Sequence, residues 1–348
     1  MNDKGAGGHP ERAEYYARLT PHNLAPLWED LGNLLLRAPK PEAVPHVWPY
    51  ADVRPLLLES GDLITAEEAE RRVLILENPA LTGRACATDT LYAGLQLILP
   101  GEIAPAHRHT QSALRYIIEG SGAYTAVDGE KAYMEEGDLI LTPSWTWHDH
   151  GNTSDGPMVW LDGLDIPILR FMTTTFVEHY ADPVYPETRP SGDSLARYGA
   201  NMLPVNETRA QTSSPVFRYP YERSREALEK MRQAGGIDPY QGHKLEYINP
   251  ATGGAAMPTM SSFLQLLPKG FKTESYRATD AAVYSVVEGA GTVRVGGVDL
   301  AWGKRDTFAV PAWMPHVFDA SEDSVLFSFS DRVMQQSLGL WREQRGNQ

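Results

Sequence analysis

The chain has 348 residues, 42% hydrophobic and 22% charged, with a formal charge of -14, proportions of a soluble globular protein with room for two domains. That charge repels nucleic acid, and no uncharged apolar run is long enough to cross a bilayer. A small anion is still compatible with it, provided that a few arginines are focused inside one pocket. The N-terminal MNDKGAGGHPERAEYY lacks the apolar core of a secretory signal, and Cys86 is the sole cysteine, so a reducing, cytoplasmic setting without disulfides is expected.

In chain order, Leu24, Leu27, Leu31, Leu34 and Leu35 recur at helical intervals until Pro39 and Pro41 interrupt them, which predicts an N-terminal helical arm over residues 1–70. Thr65 and Glu68 have capping-box spacing, so a short helix precedes the strand RRVLILENP and Arg71 stands at the transition. From 71 to 180, runs such as DTLYAGLQLILPG, ALRYIIEGSGAYTAVDGEKAYMEEGDLILTP and GPMVWLDGLDI alternate with Gly-rich turns, the pattern of an antiparallel barrel or sandwich. Residues 181–257 lose that rhythm and form an interdomain connection, with one helix in YERSREALEKMRQAGG ended by Gly235 and Gly236. Residues 258–348 form a second β-domain.

That second domain repeats the first. HRHTQSALRYIIEGSG at 107–122 aligns with YRATDAAVYSVVEGAG at 276–291, offset 276 - 107 = 169, and DLILTPSWTWH at 138–148 aligns with DTFAVPAWMPH at 306–316, offset 168. The equivalents of His107 and His109 are Tyr276 and Ala278, and His316 alone matches His148. One histidine does not hold a metal tightly, so the second copy is expected to be structural. Lys304 and Arg305 in its turn read as solvated charges.

In the first copy, residues two apart on a strand share a face, so His107 and His109 point into the barrel together and His148 on a neighbouring strand completes one face of a metal. Three imidazoles suit iron, zinc, copper or nickel alike.

Gly101, His107, His109 and Gly120, followed by Gly137, Pro143, His148 and Asn152, resemble the two cupin motifs. The departures are Ala113 or Leu114 for the usual glutamate and Trp145 for the second-motif glycine. HRHTQSALRYIIEG with TPSWTWHDHGN is similar to the bicupin gentisate 1,2-dioxygenases and their salicylate and 1-hydroxy-2-naphthoate dioxygenase relatives. The resemblance implies an all-β-dominated bicupin, two double-stranded β-helix (jelly-roll) barrels with a helical arm. It also implies Fe(II) on His107, His109 and His148, a homotetramer, and O2-dependent cleavage of gentisate (2,5-dihydroxybenzoate) to maleylpyruvate. Without a protein carboxylate the charge of the metal is uncompensated, so an anionic chelating substrate is favoured.

The remaining candidates follow from strand parity. Continued through 111 and 113, it carries Arg115 inward, to orient a substrate carboxylate or to pair with a barrel carboxylate. Arg71 is a second carboxylate ligand, with Arg72 of opposite parity, and one of the two is solvated. Tyr92, Gly94, Gln96 and Ile98 share a pocket face, while Leu91, Ala93, Leu95, Leu97 and Leu99 share a core face. Gln96 would bond a substrate oxygen and Gly94 leave room for the ring, unless Gly94 marks a bulge. His150, two beyond His148, and Asp162 are the candidates for phenolic proton transfer, and the resemblance puts both near the substrate. Trp145 and Trp147 wall the pocket. The alternatives are 1-hydroxy-2-naphthoate or salicylate cleavage, or a non-enzymatic bicupin that binds or stores an aromatic acid.

Overall fold

The computed structural model describes residues 10–206 and 212–346. Residues 1–9 of the arm, 207–211 of the connection and 347–348 of the second β-domain lie outside the described residues. The chain divides into two compact units, Met1–Lys40 and Pro41–Gln348. In the first, Leu27, Leu31 and Leu34 of the periodic leucines fall on the helix Leu27–Leu34, with Leu24 before it and Leu35 at its C-cap; Pro10–Leu19 precedes it, and Tyr16 links the two by accepting from Trp28 Nε1 at 2.9 Å. The sequence places 1–70 in one arm, but the structure divides that stretch at Lys40. Residues 41–70 belong with the barrels because the helix Tyr50–Leu63 sinks Tyr50 and Leu57 into their core. No helix among the described residues is long and apolar enough to cross a membrane.

Each barrel pairs a six-stranded with a five-stranded sheet. In the first barrel the larger sheet runs Arg218–Tyr219, Leu139–Thr142, Ala113–Glu119, Met158–Leu164, Tyr92–Ile98, Val73–Ile75, and the smaller runs Val177–His179, Ile103–His109, His148–Asn152, Ala123–Val127, Glu130–Tyr133. The second barrel reproduces both orders: His46–Trp48, Thr307–Val310, Ala282–Glu288, Ser324–Ser330, Ser261–Leu267, His243–Glu246, opposed by Glu343–Arg345, Tyr276–Ala278, His316–Ala320, Gly291–Val295, Val298–Trp302. The repeat in sequence is therefore a repeat in topology. Three strands come from outside residues 71–180 and 258–348: His46–Trp48 adds to the second barrel from before the first, Arg218–Tyr219 returns from the connection to the first, and His243–Glu246, which the sequence places in the connection, is a strand of the second.

Strand alternation sorts the side chains. Leu91, Ala93, Leu95 and Leu97 meet Leu114, Tyr116, Leu264, Val283, Phe327 and Phe329 in one cluster, so the two large sheets pack back to back. Tyr116 stacks on Phe327 at 4.0 Å and 7°. Each such fully buried side chain contributes about 1.5–3 kcal/mol, and together they fix the first barrel's large sheet from behind. The opposite faces turn inward, where Ile98, Ile140 and Trp160 pack on Ala123 and Ala132 of the smaller sheet and on Met134 just beyond it. Lys304 and Arg305 are not simply solvated: they pair with Glu136 at 3.0 Å, and Arg305 also reaches Glu119 at 3.3 Å, where a turn of one barrel meets carboxylates of the other.

Candidate active site

The three histidines converge because two strands are held in register. His107 and His109 end the strand Ile103–His109, and His148 opens its neighbour directly opposite His107. Their ligand atoms lie within 4.8 Å of one another. His109 Nδ1 donates to Gln111 O at 2.9 Å and His148 Nδ1 to Thr146 O at 3.0 Å. A carbonyl only accepts, so the proton of each neutral ring is on Nδ1 and the Nε2 lone pair is free. Nε2 of His148 is buried without a hydrogen-bond partner, an orphan that a metal ion would satisfy. Burial first, then the nearby Arg71 and Arg115, drives His107 down to about 2 and His148 well below the usual imidazole range. Burial and then Arg115 take His109 to about 4. All three are neutral at physiological pH, and the donor set fits a transition metal.

Beside them lies a cavity of about 190 Å³, lined also by Arg71, Val73, Tyr92, Gln96, Arg115, Asp162, Leu164 and Ile166. The chain bends at residues 110–112 and crosses from the smaller sheet to the larger, so strand parity does not run unbroken from His109 to Arg115. Arg115 nevertheless faces the same cavity. It stands opposite Asp162 in the ladder, with Nε 3.6 Å from Oδ1, and donates to Thr142 Oγ1. The barrel-carboxylate neighbour and the cavity position thus occur together, and Arg115 Nε remains without a hydrogen bond. Asp162 also accepts from Trp160 Nε1 at 3.0 Å. Burial pushes its carboxyl up to about 6, against the opposing effect of Arg115.

Arg71 enters from the short helix capped by Thr65, whose Oγ1 accepts from Glu68 N at 3.1 Å. Its guanidinium donates to Glu70 O at 2.9 Å and Pro105 O at 2.7 Å, and lies 3.3 Å from His107 Nδ1. Burial and then Arg115 lower it to about 9, where it stays charged at neutral pH. Its neighbour Arg72 is not solvated either: it forms a two-pronged pair with Glu102 at 2.8 Å and is 5% exposed. Two cations and one carboxylate therefore face the cavity inside an acidic protein, a local focus for an anion.

Gly94 lies opposite Asp162, and a Cβ there would come 2.6 Å from Val73 Cγ1 and 2.8 Å from Tyr92 Oη. Both neighbours line the cavity, so Gly94→Ala is expected to push Tyr92 or Val73 into it at a cost of about 1–3 kcal/mol. Steady-state kinetics should register this as a raised KM at unchanged metal content.

Three of the sequence candidates, His150, Trp145 and Trp147, are not among the residues lining this cavity. His150 is fully buried beside His148, with ring centroids 5.9 Å apart, its Nδ1 2.9 Å from Thr125 Oγ1, its ring packed on Trp160 and its Nε2 without a hydrogen-bond partner. It does not line the cavity. Trp145 is 39% exposed and also lies outside the lining. Its φ of 62° shows why glycine is usual at that motif position, and its N–H donates to His109 O at 2.7 Å. Arg108 lies between Trp145 and Trp147, 4.7 and 4.6 Å from their rings. Val73, Leu164 and Ile166 complete the cavity, apolar positions with no motif to mark them.

The residues 94–164 that carry this geometry match the family model for the Cupin domain. Over 335 residues the chain is 58% identical to Gentisate 1,2 dioxygenase 1 of Aquipseudomonas alcaligenes, covering 96% of each protein. The chain belongs to the gentisate 1,2-dioxygenase family. Within it, identity to 1-hydroxy-2-naphthoate 1,2-dioxygenase of Nocardioides sp. (strain KP7) is 36%, over 89% of this chain and 82% of that one. The crystal structure of salicylate 1,2-dioxygenase from Pseudoaminobacter salicylatoxidans with gentisate adducts superposes with a TM-score of 0.92 at 34% identity, covering 100% of this chain and 97% of that one. These likenesses extend over both barrels, which is the bicupin architecture of the family.

Proposed function

We propose that this protein cleaves the ring of gentisate with dioxygen to give maleylpyruvate, using Fe(II) held by His107, His109 and His148. The observation that carries the proposal is the joining of three neutral imidazoles to two inward arginines around one cavity, in a chain 58% identical to a gentisate dioxygenase. The cavity of about 190 Å³ has room for a one-ring acid beside the three imidazoles.

Bound iron supplies the electronic path between an electron-rich ring and dioxygen that their direct reaction lacks. The protein supplies binding, orientation and proton control. Arg115, with its unpaired Nε, and Arg71 orient the substrate carboxylate toward the imidazole face. Asp162 takes a phenolic proton as the substrate becomes dianionic, and Gln96 bonds a ring oxygen. Both atoms of O2 enter the product as the bond between the carboxylated and the 2-hydroxylated ring carbons breaks, so no further reductant is needed. His150 packs beside His148, and Trp145 anchors His109 through its backbone rather than touching substrate. The proposal includes a homotetramer in the cytoplasm.

Oxygen uptake measured over gentisate, salicylate, 5-aminosalicylate and 1-hydroxy-2-naphthoate tests it directly. Gentisate is expected to give the highest kcat/KM and a ring-opened, absorbing product; absence of uptake by iron-loaded protein would sink the proposal. The pH dependence tests the proton acceptor. With Asp162 raised to about 6, kcat/KM is expected to climb with pH through that region as the base ionises. Asp162→Asn, which keeps an acceptor for Trp160 Nε1, should lower the plateau about 100-fold and flatten the limb. An unchanged limb in the variant would assign the proton elsewhere.

A further inference from the structure

The second barrel keeps only His316 at the three metal-ligand positions, and that residue lines an interior cavity at the corresponding place, about 20 Å³ against about 190 Å³ in the first. The ladders identify the exchange. Tyr284 stands where Arg115 does and Ser328 where Asp162 does, each paired across the same two strands. Lys244 takes the place of Val73, one facing Gln265 and the other Gln96. The second cavity is therefore a rebuilt copy of the first and not a random packing gap.

Its lining carries two cations and one carboxylate: Lys244, Arg332 and Asp280. Asp280 is already engaged, accepting from Trp341 Nε1 at 2.7 Å, with its other oxygen 3.4 Å from Arg332 Nε. Arg332 Nη2 donates to Tyr276 Oη at 3.3 Å, but Arg332 Nε makes no hydrogen bond. Lys244 has one acceptor, Gln241 Oε1 at 3.1 Å, and otherwise lies over the rings of Phe263 and Tyr284 at 4.8 and 5.7 Å. Ser328, 1% exposed, has a hydroxyl with no partner. An ammonium carries three donors, and buried polar groups are ordinarily satisfied. The cavity thus gathers unused donors around a surplus positive charge, an arrangement that repels a metal ion. It is also too small for an aromatic acid. Burial pulls the Lys244 ammonium down to about 7, a cost that an adjacent anion offsets.

We infer that the second barrel binds a small monovalent anion of halide size between Lys244, Ser328 and Arg332. The site is separate from the metal face of the first barrel and makes no demand on the ring-cleavage reaction. Crystals of the full chain soaked in sodium bromide test it by anomalous diffraction, with bromide as the probe. The expected result is an anomalous peak in the cavity within contact of Lys244 Nζ and the Ser328 hydroxyl. In Lys244→Met that peak should vanish while surface bromides and oxygen uptake with gentisate persist. A wild-type cavity without anomalous signal overturns the inference, as does an equal peak in Lys244→Met; the wild-type result decides even if the variant does not fold.

Discussion

His109→Ala is expected to lose metal and ring cleavage together. Among the described residues His109 is one of three clustered donors, a cluster that includes no carboxylate, so its removal leaves two imidazoles and an open face. Loss of an outer partner alone typically weakens a metal site by about 10–100-fold, and loss of a ligand should exceed the upper figure. The ring is held by Gln111 O and by proximity to its two fellow histidines, 5.2 and 4.8 Å between centroids, while the core behind the large sheet does not involve it. Thermal unfolding of the metal-free forms should therefore be nearly unchanged, within about 1 kcal/mol. Elemental analysis and oxygen uptake on the same preparation check the prediction. Full activity in a variant without metal would remove the three histidines from the mechanism.

Where strand alternation governs, the sequence is readable. Leu91 to Leu97 and Tyr92 to Gln96 separate onto a core face and a cavity face because both sides of that strand are covered. The internal repeat is readable for a related reason: identical sheet orders demand similar spacings. Three features were hidden because they depend on long-range placement. Arg72 looks like Arg71's solvated neighbour until Glu102, thirty positions on, meets it. His150 shares parity with His148, but Thr125 and Trp160 hold its ring and it is not among the residues lining the cavity. Residues 41–70 share helical character with the arm, yet their membership of the barrel unit rests on Leu57 and Tyr50 reaching a core built from distant strands. Arg115 is the instructive case, since parity carried it inward across a bend where parity does not apply. It reaches the cavity because in a jelly roll the inward faces of both sheets look at the same interior.

That double role makes Arg115→Ala the sharpest test of the substrate side. Arg115 makes its hydrogen bond to Thr142 and its ion pair to Asp162, and neither partner is one of the three histidines, so metal content should stay near wild type. Removing a buried, paired guanidinium typically costs about 2–4 kcal/mol, or about 30-fold to 1,000-fold in kcat/KM. If Arg115 holds the carboxylate, the greater part should appear in KM. The sign of the pH effect follows from Asp162. Arg115 opposes the burial that lifts this carboxyl to about 6, so without the guanidinium the carboxyl moves higher still and remains protonated further up the pH scale. The rising limb of kcat/KM should shift to higher pH in Arg115→Ala. Arg115→Lys, which restores charge without the planar fork, should return the limb toward its original position while leaving KM raised. A variant with normal KM and an unshifted limb would show that Arg115 is only a barrel ion pair, and that carboxylate binding rests on Arg71 alone.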